Sequence, residues 1–163
     1  ERINVHGVEN LISMCIKTGR RLFQISTTSV AGVNVNRKFP PEKKIHENEL
    51  YFGQDLTNKY IDTKFRGEKA VLEAIASDEL DGKIIRVGNL MSRNSDGEFQ
   101  VNANTNGFMR FLRAYATIGK FPVSSMDEAV EFSPIDCTAA AVICLAGTNS
   151  KFTVFQACNV HNL

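Results

Sequence analysis

Short apolar runs of strand length alternate with longer stretches whose apolar residues recur every three or four positions. This alternation restricts the fold more than any other feature of the chain. Val5, Val8, Leu11, Ile12, Cys15 and Ile16 recur at helical spacing, and Gly19 supplies a stop. Arg21 to Ser26 reads as a buried strand, with Leu22, Phe23 and Ile25 in one apolar patch. Thr57 or Asn58 can cap the next helix, which runs to about Ser77 with a core stripe of Ile61, Phe65, Leu72 and Ile75. Asp81-Gly82 turns into a strand over Lys83 to Val87, and Gly88-Asn89 ends it. Asn106 to Ile118 reads as a helix with Phe108, Phe111, Leu112 and Tyr115 on one side. A short strand is expected over Val130 to Phe132. An Ala-rich helix follows over Asp136 to Leu145, capped by Asp136 or Ser133, and a last strand over Phe152 to Cys158. Strands separated by helices predict an α/β fold whose mainly parallel sheet is joined by helical crossovers.

The chain has 163 residues, 43% of them hydrophobic and 23% charged, which suits one domain with a real core. A formal net charge of +1 gives no reason to expect nucleic acid or an anionic membrane as partner. The pairs Arg20-Arg21 and Lys43-Lys44 sit in polar stretches and read as solvated. The longest apolar stretch, Ala139 to Ala146, is too short to span a bilayer, and no signal peptide is evident, so a cytoplasmic location is expected. Cysteines at 15, 137, 144 and 158 show no CxxC spacing and no nearby histidine. They read as buried free thiols in a reducing compartment, with no metal site. His6, His46 and His161 are scattered and propose no chemistry. Gly32 to Leu56, with Pro40-Pro41, reads as a long surface loop in which Glu47 and Gln54 are either solvated or order the loop. The chain opens without Met and stops just after a strand, as expected of a piece of a longer protein.

Three features suggest chemistry. The first strand ends in the hydroxyl run Ser26-Thr27-Thr28-Ser29. The following helix carries Tyr60 and Lys64, four apart and therefore on one face. The next strand ends in Gly88-Asn89. A phenol beside an ammonium gives up its proton more readily, so such a pair is an acid/base device. Plainer readings exist for each: an interface tyrosine with a snorkelling lysine, hydroxyls that satisfy backbone groups, and an ordinary strand-ending turn. What favours chemistry is convergence. Two neighbouring strand ends and one helix start meet at the carboxyl edge of the sheet, where open α/β sheets bind ligands.

The order of hydroxyl run, Tyr60-x-x-x-Lys64 and a strand ending in Arg86-Val87-Gly88-Asn89-Leu90 resembles the extended short-chain dehydrogenase/reductase superfamily. Ile25 to Gly32 and Asn58 to Phe65 look like the thioester reductase domains that end nonribosomal peptide synthetases. So do Asp96-Gly97-Glu98-Phe99-Gln100 and Phe132-Ser133-Pro134-Ile135-Asp136. The likeness runs from about Asn4 to Asn159. Carboxylic acid reductases and fatty acyl reductases are close relatives.

The resemblance implies a Rossmann-like fold, of which residues 1–163 are a single partial domain, the central and C-terminal part. It implies Thr27, Tyr60 and Lys64 as catalytic residues, and Lys64, Tyr60, Gly88 and Asn89 as neighbours of the cofactor, NADPH. Tyr60 donates a proton to the substrate carbonyl oxygen, and Lys64 also holds the nicotinamide ribose. Thr27 is the third member, five residues before Gly32. Ser29 is its rival, while Ser26 and Thr28 alternate with Thr27 and point elsewhere. Asn106 is a candidate to face substrate, Arg93 matches a family motif, and Asp136 is read as a helix cap. The implied partner is a phosphopantetheinyl carrier protein bearing an acyl or peptidyl thioester, released reductively as an aldehyde or alcohol. The family's glycine-rich strand-turn-helix, which seats the cofactor pyrophosphate, does not occur in these residues. The polypeptide alone is therefore expected to be inactive and to need the rest of its parent domain. The competing expectations are another superfamily enzyme, such as a nucleotide-sugar epimerase or dehydratase, and a non-catalytic dinucleotide-binding regulator.

Overall fold

The computed structural model describes residues 1–32, 45–122 and 131–159. Pro40-Pro41, Lys43-Lys44, Val130 of the expected short strand, and His161 lie outside them. Three parallel strands form the central sheet in the order β1-β2-β5: β1 (Leu22–Thr27), β2 (Gly82–Val87) and β5 (Val154–Ala157). The register pairs Ser26 with Arg86 and Thr27 with Val87, then Arg86 with Gln156 and Val87 with Ala157. Side chains alternate across each strand, so Ile84 and Ile85 are both fully buried but serve opposite faces. On one face Ile84 joins Val8, Cys15, Leu22, Val71, Leu80 and Val154 beneath α1 (Gly7–Thr18) and α2 (Lys59–Ala76). On the other, Ile85, Val87 and Ala157 pack against Ala141, Val142 and Leu145 of α4 (Ile135–Gly147). Helices thus cover both faces of a parallel sheet, which is the expected Rossmann-like architecture.

Local chemistry sets the element ends. Asn58 caps α2, its side-chain oxygen accepting from the backbone N–H groups of Tyr60 at 2.9 Å and Ile61 at 3.4 Å. Gly19, at φ 62°, closes α1 in the left-handed region. A π-helical turn, Arg2–His6, leads into α1 and lies against α2. It can lie there because Gly67 has no side chain: a Cβ at that position would stand 2.6 Å from the carbonyl oxygen of Asn4. Lys83 is buried in β2 and donates its ammonium to the carbonyls of Leu145 and Thr148, at the C-terminal end of α4, where the helix dipole attracts a cation.

Several expectations need correction. The short strand falls at β4 (Ser133–Pro134), not at 131–132, and it pairs in parallel with an unforeseen two-residue strand, β3 (Leu90–Met91). The N-cap of α4 is Pro134, not Asp136 or Ser133. Asp136 lies in the first turn, where it accepts from the backbone N–H groups of Asn94 at 2.9 Å and Ser95 at 3.1 Å and so ties the 92–98 loop to α4. The deepest residues of α2 are Gly67, Glu68 and Val71 rather than Phe65, Leu72 and Ile75. Only Cys15 is buried among the four thiols. Cys137 and Cys144 are exposed and Cys158 is partly buried. Of the two readings of Gln54, ordering of the loop is the one seen: buried Gln54 donates to the carbonyls of Val30 and Leu50, and Gln156 donates to that of Ile45. The helix α3 (Gly107–Ile118) buries none of its residues, and Phe111 is 64% exposed.

Candidate active site

A cleft of about 530 Å³ opens at the carboxyl ends of β1 and β2, between the first turn of α2 and the start of α3. Thr27 and Ser29 line it from the end of β1, Tyr60 and Lys64 from α2, Gly88 and Asn89 from the end of β2, and Asn106 from the cap of α3. All five residues singled out from the sequence, Thr27, Tyr60, Lys64, Gly88 and Asn89, therefore face one space. Tyr60 is 52% exposed and open to a ligand. The ammonium of Lys64 donates to the carbonyl of Ile25 at 3.5 Å, and among the described residues it has no acidic partner. Thr27 Oγ1 accepts from the backbone N–H of Ser29 at 3.1 Å. A hydroxyl that accepts in this way keeps its own hydrogen for another acceptor. Ser26 lies partly along the cleft but sends its hydroxyl the other way, to Glu68 at 2.6 Å.

The floor beyond β2 is built around Glu131, which sequence reasoning did not find. Its carboxylate accepts from the backbone N–H of Asn89 at 2.6 Å, from the N–H of Asn159 at 3.1 Å and from the hydroxyl of Ser133. Gly88 makes room for it, since a Cβ there would collide with that carboxylate. Asn89 also donates its side-chain amide to the carbonyl of Glu131 at 3.1 Å. The rings of Phe108 and Phe132 meet edge-on at 5.4 Å and give the cleft an apolar wall. Asn106 both lines the cleft and caps α3 by accepting from the N–H of Met109 at 3.1 Å. Arg93 lies outside the cleft lining, on the loop, paired with Asp96 and Glu98. Nothing local marks Glu131 in the sequence, because all its partners except Ser133 are distant along the chain. Glu68 did leave a signal: a charge within the buried face of α2, one turn beyond Lys64.

Among the described residues, no cluster of three or more His, Cys, Asp or Glu is placed to hold a metal ion, and no helix is long and apolar enough to cross a membrane.

A doubly covered parallel sheet with a cleft at its carboxyl edge places the chain among the α/β dinucleotide-binding folds. The family model described as "Male sterility protein", an NAD-binding family, matches residues 1–142. The chain belongs to this family, within the extended short-chain dehydrogenase/reductase superfamily. Its solved neighbours include a thiolation-reductase di-domain from an archaeal nonribosomal peptide synthetase, 40% identical with a TM-score of 0.86. That likeness covers 99% of this chain and 44% of the neighbour. The reductase domain of the aureusimine biosynthetic cluster is 31% identical with a TM-score of 0.84, over 99% of this chain and 42% of that one. A dTDP-glucose 4,6-dehydratase from Bacillus anthracis in complex with NAD shares the fold at 15% identity and a TM-score of 0.71, over 98% of this chain and 47% of its own. No curated protein matches. The chain thus spans less than half the length of each of these three solved proteins.

Proposed function

We propose that residues 1–163 are the central part of a reductase domain that releases a carrier-bound acyl or peptidyl thioester as an aldehyde or alcohol, using NADPH. The observation that carries this reading is the single cleft lined by Thr27, Tyr60, Lys64, Gly88 and Asn89. The likeness to reductase domains of peptide synthetases supports a thioester as the substrate.

The residues present suit a nicotinamide nucleotide. Lys64 offers an ammonium without an acidic partner among the described residues, suited to the ribose hydroxyls, and Tyr60 stands one turn before it on the same helix face. Gly88 and Asn89 would border the ring at the end of β2. When bound, the cofactor supplies a hydride to the thioester carbon. Tyr60 donates a proton to the carbonyl oxygen as charge gathers on it, and Lys64 stabilises the phenolate that remains. The free hydrogen of Thr27 Oγ1 is directed to the same oxygen. The resulting hemithioacetal loses the pantetheine thiol and leaves an aldehyde, and a second reduction gives the alcohol. The apolar wall of Phe108 and Phe132 suits the acyl chain. Such a reductase works where carrier-bound intermediates and NADPH are found, in the cytoplasm.

The test uses the full-length protein with an acyl thioester loaded on a carrier protein. NADPH oxidation should depend on the thioester. Tyr60→Phe should lower it by about 10²-fold or more, the scale of general acid catalysis, while leaving the melting temperature and circular dichroism unchanged. Near-normal turnover in that variant overturns the role of Tyr60. Turnover of a sugar nucleotide in place of a thioester would point to an epimerase or dehydratase, and binding of NADPH without turnover to a regulator.

A further inference from the structure

Beneath the cleft a buried polar network joins four segments of the chain. Glu68 and Arg86 are almost wholly buried. Arg86 Nε donates to Glu68 Oε1 at 2.8 Å, and Ser26 Oγ donates to Glu68 Oε2 at 2.6 Å. Arg86 Nη2 donates both to Glu68 and, at 3.1 Å, to the carbonyl of Glu49 in the 45–56 segment. The β1-β2 register sets Ser26 beside Arg86 on the face that α2 covers, so the carboxylate of Glu68 comes down on both.

Three of its members are near neighbours, along their own elements, of a cleft residue. Ser26 precedes Thr27, Glu68 lies one turn beyond Lys64, and Arg86 stands two residues before Gly88. Such a pair is a poor source of stability. Apolar residues of similar volume in its place are often neutral or stabilising, because desolvating two charges offsets their attraction. An apolar core with Val71 and Ile84 already lies on this face. What the network adds is direction. Hydrogen bonds to both carboxylate oxygens fix the height and rotation of α2 over β1 and β2 in a way that apolar contacts do not.

We propose that Glu68, with Arg86 and Ser26, is a positioning device that holds Tyr60 and Lys64 in reach of Thr27. This rests on the catalytic reading above. None of the three is a catalytic residue; each acts through its neighbour in the cleft.

The experiment compares the full-length wild type with the double variant Glu68→Leu/Arg86→Met. The variant should melt within a few degrees of wild type or higher. Its kcat should fall about tenfold or more, since a misplacement near 1 Å costs up to ~10²-fold, while KM for NADPH and thioester stays within about threefold. Wild-type kcat at wild-type melting temperature overturns the proposal. If the double variant does not fold, Ser26→Ala decides. Its kcat should fall about fivefold or more with KM unchanged, and Ser26→Thr should restore most of it; an Ala variant with wild-type kcat overturns the proposal. Should the wild type show no thioester-dependent oxidation, the catalytic reading fails by itself. Crystal structures of wild type and the folded variant then decide. A shift of Tyr60 against Thr27 of about 1 Å or more supports a positioning role, and unchanged separation overturns it.

Discussion

Asp136 shows how a surface carboxylate can organise a loop. Backbone hydrogen bonds from Asn94, then Ser95 and Cys137, stabilise its charged form and hold its pKa at about 2, below the ordinary 3.8. A carboxyl whose folded value lies below its unfolded value stabilises the protein above the unfolded value, and that contribution is lost as pH falls through the folded one. The window here runs from about pH 4 down to about 2. Asp136→Asn should therefore lower the melting temperature at pH 7 and lose less stability than wild type across that window. Thermal melts over a pH series check this, and parallel profiles for the two proteins would contradict it. A cap role had been expected from the position of Asp136 before an Ala-rich run. Pro134 enters the helix instead, and the carboxylate is drawn to two backbone donors more than forty residues away, which no local pattern announces.

At the scale of the element, α2 carries both residues of the proposed acid/base pair in its first two turns, so its start matters more than its middle. Asn58 is the side chain that satisfies the first orphan N–H groups, one of them that of Tyr60. Asn58→Ala should cost about 1 kcal/mol of stability and loosen the turn that carries the phenol. Amide hydrogen exchange should quicken at 60–63 before it quickens at the C-terminal half of the helix; uniform exchange along α2 would show that the cap has no local effect. The existence of α2 was legible from Thr57-Asn58 ahead of a helical period, and of these two candidate caps the structure uses Asn58. Its core stripe was legible in part: Ile61 is buried and Leu72 and Ile75 pack against the core, while the partners of Glu68 on the same face, Ser26 and Arg86, come from β1 and β2. β3 and β4 are two residues each, too short for any period to show, and they exist only because the chain returns alongside itself.

For the whole molecule, the alternation of strand and helix was enough to foresee a parallel sheet with helical crossovers. The cleft was legible as far as its residues end strands or begin a helix: Thr27, Tyr60, Lys64, Gly88 and Asn89. What escaped was the long-range polar contacts, among them those of Glu131, Lys83 and Asp136 and the pairing of Glu68 with Arg86. A polar side chain declares its burial only through partners, and those partners come from elsewhere in the fold.

The sheet order has one more outcome. Among the described residues β1 bonds to a strand on one side only, and Phe23 and Ile25 on it are 39% and 41% exposed. A bare, apolar flank of this kind is adhesive: backbone groups that no neighbouring strand takes up invite any extended backbone to dock. Prepared by itself, the 163-residue polypeptide should stick to its own copies in proportion to concentration. Phe23→Lys, which plants a charge on that flank, should keep it dispersed in light scattering. Equal scattering from both versions would mean that this margin is not where copies meet.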